Sequence, residues 1–240
     1  MHSYETNVAP GSEYFVYTPS ALARETFFYP VCTGRFFYEP GYCLKRNSYD
    51  SFLVMLITSG QCVVTYQGQT FPASAGNVVF LDCYLPHQYE SDTGWQALWL
   101  HFDGPMSRKY YEAVTGSFGN IMTPPDLPAV EHTLTRICNI FRDNATIIEA
   151  KLSSYITSIL TELFLCSRKK ETDSLTHQSL SETISYINEH FAEPLTLEDL
   201  AERAALSPFY FSRKFSQATG MTPHQYILAT RINAARAREL

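Results

Sequence analysis

The chain has 240 residues, 45% hydrophobic and 18% charged, with a formal net charge of -6 at pH 7. That length allows one large and one small domain, each with its own core. The acidic balance argues against a surface that grips nucleic acid everywhere, and the longest apolar run, FLVMLI at 52–57, is far short of the roughly twenty residues of a membrane helix.

The six cysteines, at 32, 43, 62, 83, 138 and 166, form no C-x-x-C pair and have no histidine at zinc-finger spacing. With no secretory leader ahead of them, they read as reduced core residues of a cytoplasmic protein. No cofactor, metal site or membrane partner is predicted.

From Phe52 to Phe102 the pattern is of strands: FLVMLIT, Ser-Gly, CVVTY, Gln-Gly, QTF, Gly-Asn, VVFLD, then HQYE and WQALWLHF. Short strands separated by hairpin signals predict a small antiparallel barrel or two-sheet roll. Glu13–Thr18 and Arg35–Tyr42 read as added edge strands. On the last strand Trp95, Ala97, Trp99 and His101 share one face and Leu98, Leu100 and Phe102 the other, while His87 and Tyr89 share a face one strand earlier. The aromatic residues, rich before residue 120, can line a pocket as well as fill a core.

Residues 105–170 turn helical. Ser107–Val114 is a short helix, prolines at 124, 125 and 128 break the chain, and Ala129–Arg142 carries an apolar stripe. A further helix with Ile147, Ile148, Leu152, Ile156, Ile159, Leu163 and Phe164 has a stripe broader than a surface helix needs. These helices can cover the barrel or pair across a homodimer. The polar stretch 171–179 reads as a linker.

The last sixty residues spell a helix-turn-helix. Leu180, Ile184, Ile187 and Phe191 stripe one helix, Thr196 and Asp199 cap a second, and Ser207-Pro208 starts a third. On that third helix Phe211, Phe215 and Ala218 fall on a face predicted to be buried, while Phe209, Ser212, Arg213 and Ser216 project elsewhere. Arg213 suits guanine O6 and N7, Ser212 a base edge, and Phe209 a thymine methyl, so the predicted partner is double-stranded DNA. Residues 178–240 hold six Lys or Arg against seven Asp or Glu, but the six basic residues from Arg203 onward face only Glu239 within 203–240.

LTLEDLAERAALSPFYFSRKFSQATGMTPHQYILATRINAARAREL at 195–240 resembles the first helix-turn-helix of the AraC/XylS family of bacterial transcription regulators. The resemblance implies base contacts from Phe209, Ser212 and Arg213 and phosphate contacts from Ser207 and Arg231. Two departures stand out. The tight turn usually takes Gly where this chain has Ala205, a cost of roughly 1 kcal/mol if the backbone stays left-handed. The family's second helix-turn-helix is absent, so the chain reads as a fragment ending within the linker helix.

GQCVVTYQGQTFPASAGNVVFLDCYLPHQYE similarly resembles the cupin sensor domain of the family's arabinose-type branch. That resemblance implies an α+β chain: a cupin-like barrel at 1–104, a helical dimerisation or cover segment at 105–170, a linker, and an incomplete DNA-binding unit at 180–240. It also implies a small-molecule effector, a sugar or something sugar-like, near His87, Tyr89, Trp99 and a basic residue that is Arg46 or its neighbour Lys45, with Arg46 preferred. Strand parity adds Trp95, and the effector shifts how the regulator presents itself to DNA. RNA polymerase is a further candidate partner. The alternatives are a constitutive regulator or dimerisation module with an empty barrel and, less favoured, a cupin enzyme. The enzyme needs an H-x-H ligand set, and this chain has Tyr89 where the second histidine belongs.

Overall fold

Hairpin-forming dipeptides and alternating apolar residues cut the first half of the chain into strands. In the computed structural model of the chain, which describes residues 5–168 and 174–238, these are β1 (Glu13–Val16), β2 (Tyr29–Tyr38), β3 (Tyr42–Arg46), β4 (Phe52–Tyr66), β5 (Gln69–Ser74), β6 (Val78–Asp82), β7 (His87–Ser91), β8 (Trp95–Asp103) and β9 (Ile121–Met122). The chain divides between residues 170 and 171 into two units. All strand pairs are antiparallel, with β1-β2-β8-β4-β6-β9 as the main path and β3, β5 and β7 closing the other side of a cupin-like barrel.

β4 is buried on both faces over its first half, which is why FLVMLI has no polar alternation. Leu53, Met55 and Ile57 join the barrel's inner core with Trp95, Ala97 and Trp99. Phe52, Val54 and Leu56 join the outer core with Leu98, Leu100 and Phe102. The Ser59-Gly60 pair, read as a hairpin, is instead a bend within one continuous strand: the register against β8 shifts between Ile57 and Ser59, and Gly60 has φ +74. A bulge there lets β4 leave β6 and take up β5 without reversing. Gln67 and Gly68, both at positive φ (50 and 75), make the true hairpin turn to β5.

The segment Arg35–Tyr42, read as one edge strand, spans the end of β2, a turn, and the start of β3. β2 is interior, paired with both β1 and β8. A short helix α1 (Ala21–Thr26) was not predicted, because only Ala23 of its six residues is buried and no stripe marks it.

Three helices, α2 (Ser107–Phe118), α3 (Leu127–Arg142) and α4 (Glu149–Arg168), lie against the outer face of the barrel. Val114, Val130, Leu134, Ile137, Leu152, Ile156, Ile159, Leu160 and Leu163 share a core with β4, β6 and β8. At roughly 1.5–3 kcal/mol for each large side chain removed from water, this contact fixes the helices as the barrel's cover.

The second unit comprises α5 (Ser174–His190), α6 (Leu197–Arg203), α7 (Pro208–Thr219) and α8 (Pro223–Arg238) around Leu180, Ile187, Leu200, Ala201, Ala204, Phe211, Phe215 and Ile227. Thr196 caps α6 by accepting the Asp199 amide at 3.1 Å, as its spacing predicts. Two boundaries differ from expectation. α5 begins at Ser174, inside the predicted linker 171–179, because polar residues tolerate helix once a downstream stripe anchors it; residues 169–173 lie outside the described residues. Ala218 is exposed, since the core of this small unit closes on Phe211 and Phe215 and reaches no further along α7.

Candidate ligand cavity and nucleic-acid interface

Strand parity decides which side chains of β3 enter the barrel. Tyr42, Leu44 and Arg46 point inward while Cys43 and Lys45 are exposed, so Cys43 is not the core residue that composition suggested. All six cysteines are free thiols.

A cavity of ≈ 370 Å³ opens within the barrel, its lining including Arg46, Tyr38, Tyr42, Tyr89, Trp99 and His101. The Arg46 guanidinium sits 5.1 Å from the Tyr49 ring centroid, and the Tyr49 hydroxyl meets Cys32 Sγ at 3.3 Å. At the rim the Tyr42 hydroxyl donates to Glu5 at 2.8 Å. His101 Nδ1 exchanges a hydrogen bond with Ser51 Oγ at 2.8 Å. Burial first, then the neighbouring Arg46 charge, pulls the His101 pKa down to about 3, so its imidazole is neutral. Burial likewise raises the Tyr42, Tyr49 and Tyr89 hydroxyls, which stay protonated donors.

Of the five residues predicted to touch a ligand, Arg46, Tyr89 and Trp99 line this cavity and two do not. Trp95 faces inward but stacks on Tyr38 with centroids 4.0 Å apart and planes at 18°, so it is barrel core. His87 is buried outside the lining, where Nδ1 donates to the Leu85 carbonyl at 2.9 Å and Nε2 has no partner. The sequence singled out none of Tyr38, Tyr42, Tyr14 or Tyr49; the first three lie within the segments Glu13–Thr18 and Arg35–Tyr42, which were read as edge strands and so not searched for pocket residues. Gly34 makes room for Trp99: a Cβ there would lie 2.5 Å from the indole ring. Among the described residues no three His, Cys, Asp or Glu side chains gather as a metal site.

In the second unit, Ser207 caps α7 by accepting the Tyr210 amide, at 3.4 Å. Phe209 is 81% exposed; Arg213 is exposed and Ser212 half-buried on the same side. An aromatic ring so open to water, beside a guanidinium, gives α7 a protruding face of the size a major groove admits. Ala205 keeps the left-handed turn at φ 55, so the strain expected of a non-glycine residue is present.

Arg231, expected to hold a phosphate, has another use. Its Nε donates to the Phe191 carbonyl at 2.6 Å and its Nη2 to the Glu193 carbonyl at 2.8 Å, so it caps the end of α5. The sequence showed its charge but not the carbonyls forty residues away that claim it.

A cupin-like barrel holding a small-molecule-sized cavity, and a helix-turn-helix with a bare third helix, together define a DNA-binding regulator with an effector-type domain. Residues 29–160 match the AraC-like ligand binding domain, and residues 187–228 match the bacterial regulatory helix-turn-helix proteins of the AraC family. The chain belongs to the AraC family of transcriptional regulators.

Its similarity extends over most of several relatives. It is 23% identical to the HTH-type transcriptional activator RhaS of Escherichia fergusonii over 84% of this chain and 75% of that one. It is 21% identical to the Msm operon regulatory protein of Streptococcus mutans, over 82% and 73%, and 18% identical to a lactose operon transcription activator of Staphylococcus xylosus, over 77% and 68%. These relatives are regulators, and this chain is a regulator and not an enzyme. No described helix is long and apolar enough to cross a membrane.

Proposed function

We propose that a sugar-like small molecule in the barrel cavity sets how a homodimer of this cytoplasmic regulator presents α7 to promoter DNA. The observation that carries the DNA half is the face of α7 where Phe209 and Arg213 are exposed and Ser212 is half-buried, on the outside of a core formed by α5 to α8. The effector half is supported by the aromatic, hydroxyl-rich cavity, which offers a stacking wall and several donors to a hydroxylated ring. The name of the lactose operon relative points the same way. Dimerisation is supported by Ile147 and Ile148, exposed just ahead of α4, and by Phe164 and Leu165, exposed on it. The division of labour is then sensing by residues 1–104, cover and pairing by 105–170, and DNA contact by the unit that follows.

The test is fluorescence anisotropy with DNA from the chain's own promoter region, titrated with a panel of sugars, sugar acids and polyols. Arg213→Ala is expected to weaken binding by about 1–3 kcal/mol and to relax preference at one base pair. Unchanged operator affinity in that variant overturns the assignment of α7, and identical affinity with every ligand overturns the sensor.

A further inference from the structure

We infer that the molecule accepted by the barrel carries a carboxylate, and that Arg46 selects it over a neutral molecule of the same shape. The inference rests on the ligand-sensing reading above and narrows it to a chemical class. Arg46 is the single Lys or Arg in the cavity lining, brought there by the inward parity of β3 and steadied over Tyr49. Two other arginines of this unit have carboxylate partners: Arg108 meets Asp82 at 2.7 Å, and Arg142 pairs with Glu13. Arg46 has no such partner among the described residues.

The groups around it do not supply the missing charge. His101 is neutral, and the Cys32, Tyr42, Tyr49 and Tyr89 protons are held on by burial. Burial dominates each of these groups; behind it Arg46 acts on all of them, and Glu5 acts the opposite way on Tyr42 and Tyr89. Glu5, the one acid in the lining, is exposed and already accepts the Tyr42 hydroxyl.

A half-buried positive charge beside aromatic walls and mostly neutral donors attracts an anion more than it would in open water. The fork geometry of a guanidinium matches the two oxygens of a carboxylate. A neutral sugar needs only the hydroxyls and imidazole that the cavity already offers. The Tyr38, Tyr89 and Trp99 wall then receives the ligand's body, which a sugar acid or an aromatic acid would both provide.

Matched pairs separate charge from shape. Thermal shift and calorimetry on the full chain would compare D-galacturonate with D-galactose, and 4-hydroxybenzoate with 4-hydroxybenzyl alcohol, in wild type, Arg46→Gln and Arg46→Lys. At least one acid should bind and raise the melting temperature clearly more than its neutral mate, and the binding pair reports whether the body is a sugar or an aromatic ring. Arg46→Gln should weaken that acid by at least about tenfold, the scale of a lost charge-assisted hydrogen bond, and Arg46→Lys should restore part of it. Neutral mates binding as well as the acids, or an acid indifferent to Arg46→Gln, overturns the carboxylate while leaving the sensor standing. No binding by any of the four overturns both. Should Arg46→Gln fail to fold, the acid-to-neutral affinity ratio in wild type and its fall in Arg46→Lys decide the matter.

Discussion

Lowering the pH should strip stability from the barrel unit through one residue. His101 is 4% exposed, and its pKa falls from 6.5 to about 3 because burial and the Arg46 charge both oppose a second cation in the barrel. A folded-state pKa below the unfolded one means the contribution is complete above about pH 6.5 and is lost as pH falls toward 3, as the unfolded chain takes a proton that the folded chain refuses. At about pH 5 the unfolded histidine has gained roughly 1.5 units of proton affinity over ambient, which costs the folded state about 2 kcal/mol. The assay is urea unfolding followed by tryptophan fluorescence at pH 7.5 and pH 5. The chain's two tryptophans, Trp95 and Trp99, both lie in the barrel, so the signal ignores the DNA-binding unit. His101→Asn is the control, since an amide at that reach can keep the Ser51 contact without titrating. Wild type should lose about 2 kcal/mol more than His101→Asn across this interval; His87, also depressed by burial, is present in both and cancels. Equal losses in the two proteins would refute the placement of His101 as a neutral buried group.

Two further outcomes follow from the DNA-binding unit. Ala205→Gly should raise its thermal unfolding midpoint, through a gain of about 0.5–1 kcal/mol, because glycine adopts φ 55 without a Cβ clash; a lower midpoint would mean the turn is not strained. Arg231→Ala should cost about 1–2 kcal/mol of stability by uncapping α5, yet leave the salt dependence of DNA binding unchanged. A phosphate contact would instead reduce that slope by about one.

Much of the DNA-binding unit was legible because its signals are local. Thr196 with Asp199, Ser207 with Pro208, and the Phe211/Phe215 spacing each specify structure within one or two turns of helix. The helix-end contacts of Arg231 were not legible for the opposite reason: the carbonyls of Phe191 and Glu193 that it meets are brought near only by the packing of α8 beside α5. A basic residue on a helix after a recognition motif looks the same in sequence whether it faces a phosphate or a helix terminus.

The barrel shows a second limit, one of height. Alternation correctly put Trp95 and Trp99 on the same inner face of β8, but four residues along a strand are about 13 Å, comparable to the whole depth of a small cavity. Trp95 therefore reaches the end of the barrel, where Tyr38 stacks on it, and Trp99 reaches the cavity. His87 and Tyr89 also differ, though not by height alone: His87 lies opposite Arg46 in register, yet its ring turns to the Leu85 carbonyl while Arg46 lines the cavity. Parity tells which residues enter a barrel; only the register against neighbouring strands, such as Arg46 opposite His87 and Leu44 opposite Tyr89, tells at what level each one arrives. Register here depends on the bulge in β4 and the turn between β2 and β3, features set by Gly60 and Gly41 at positive φ, and a glycine in sequence announces a bend without saying how far it carries the next strand.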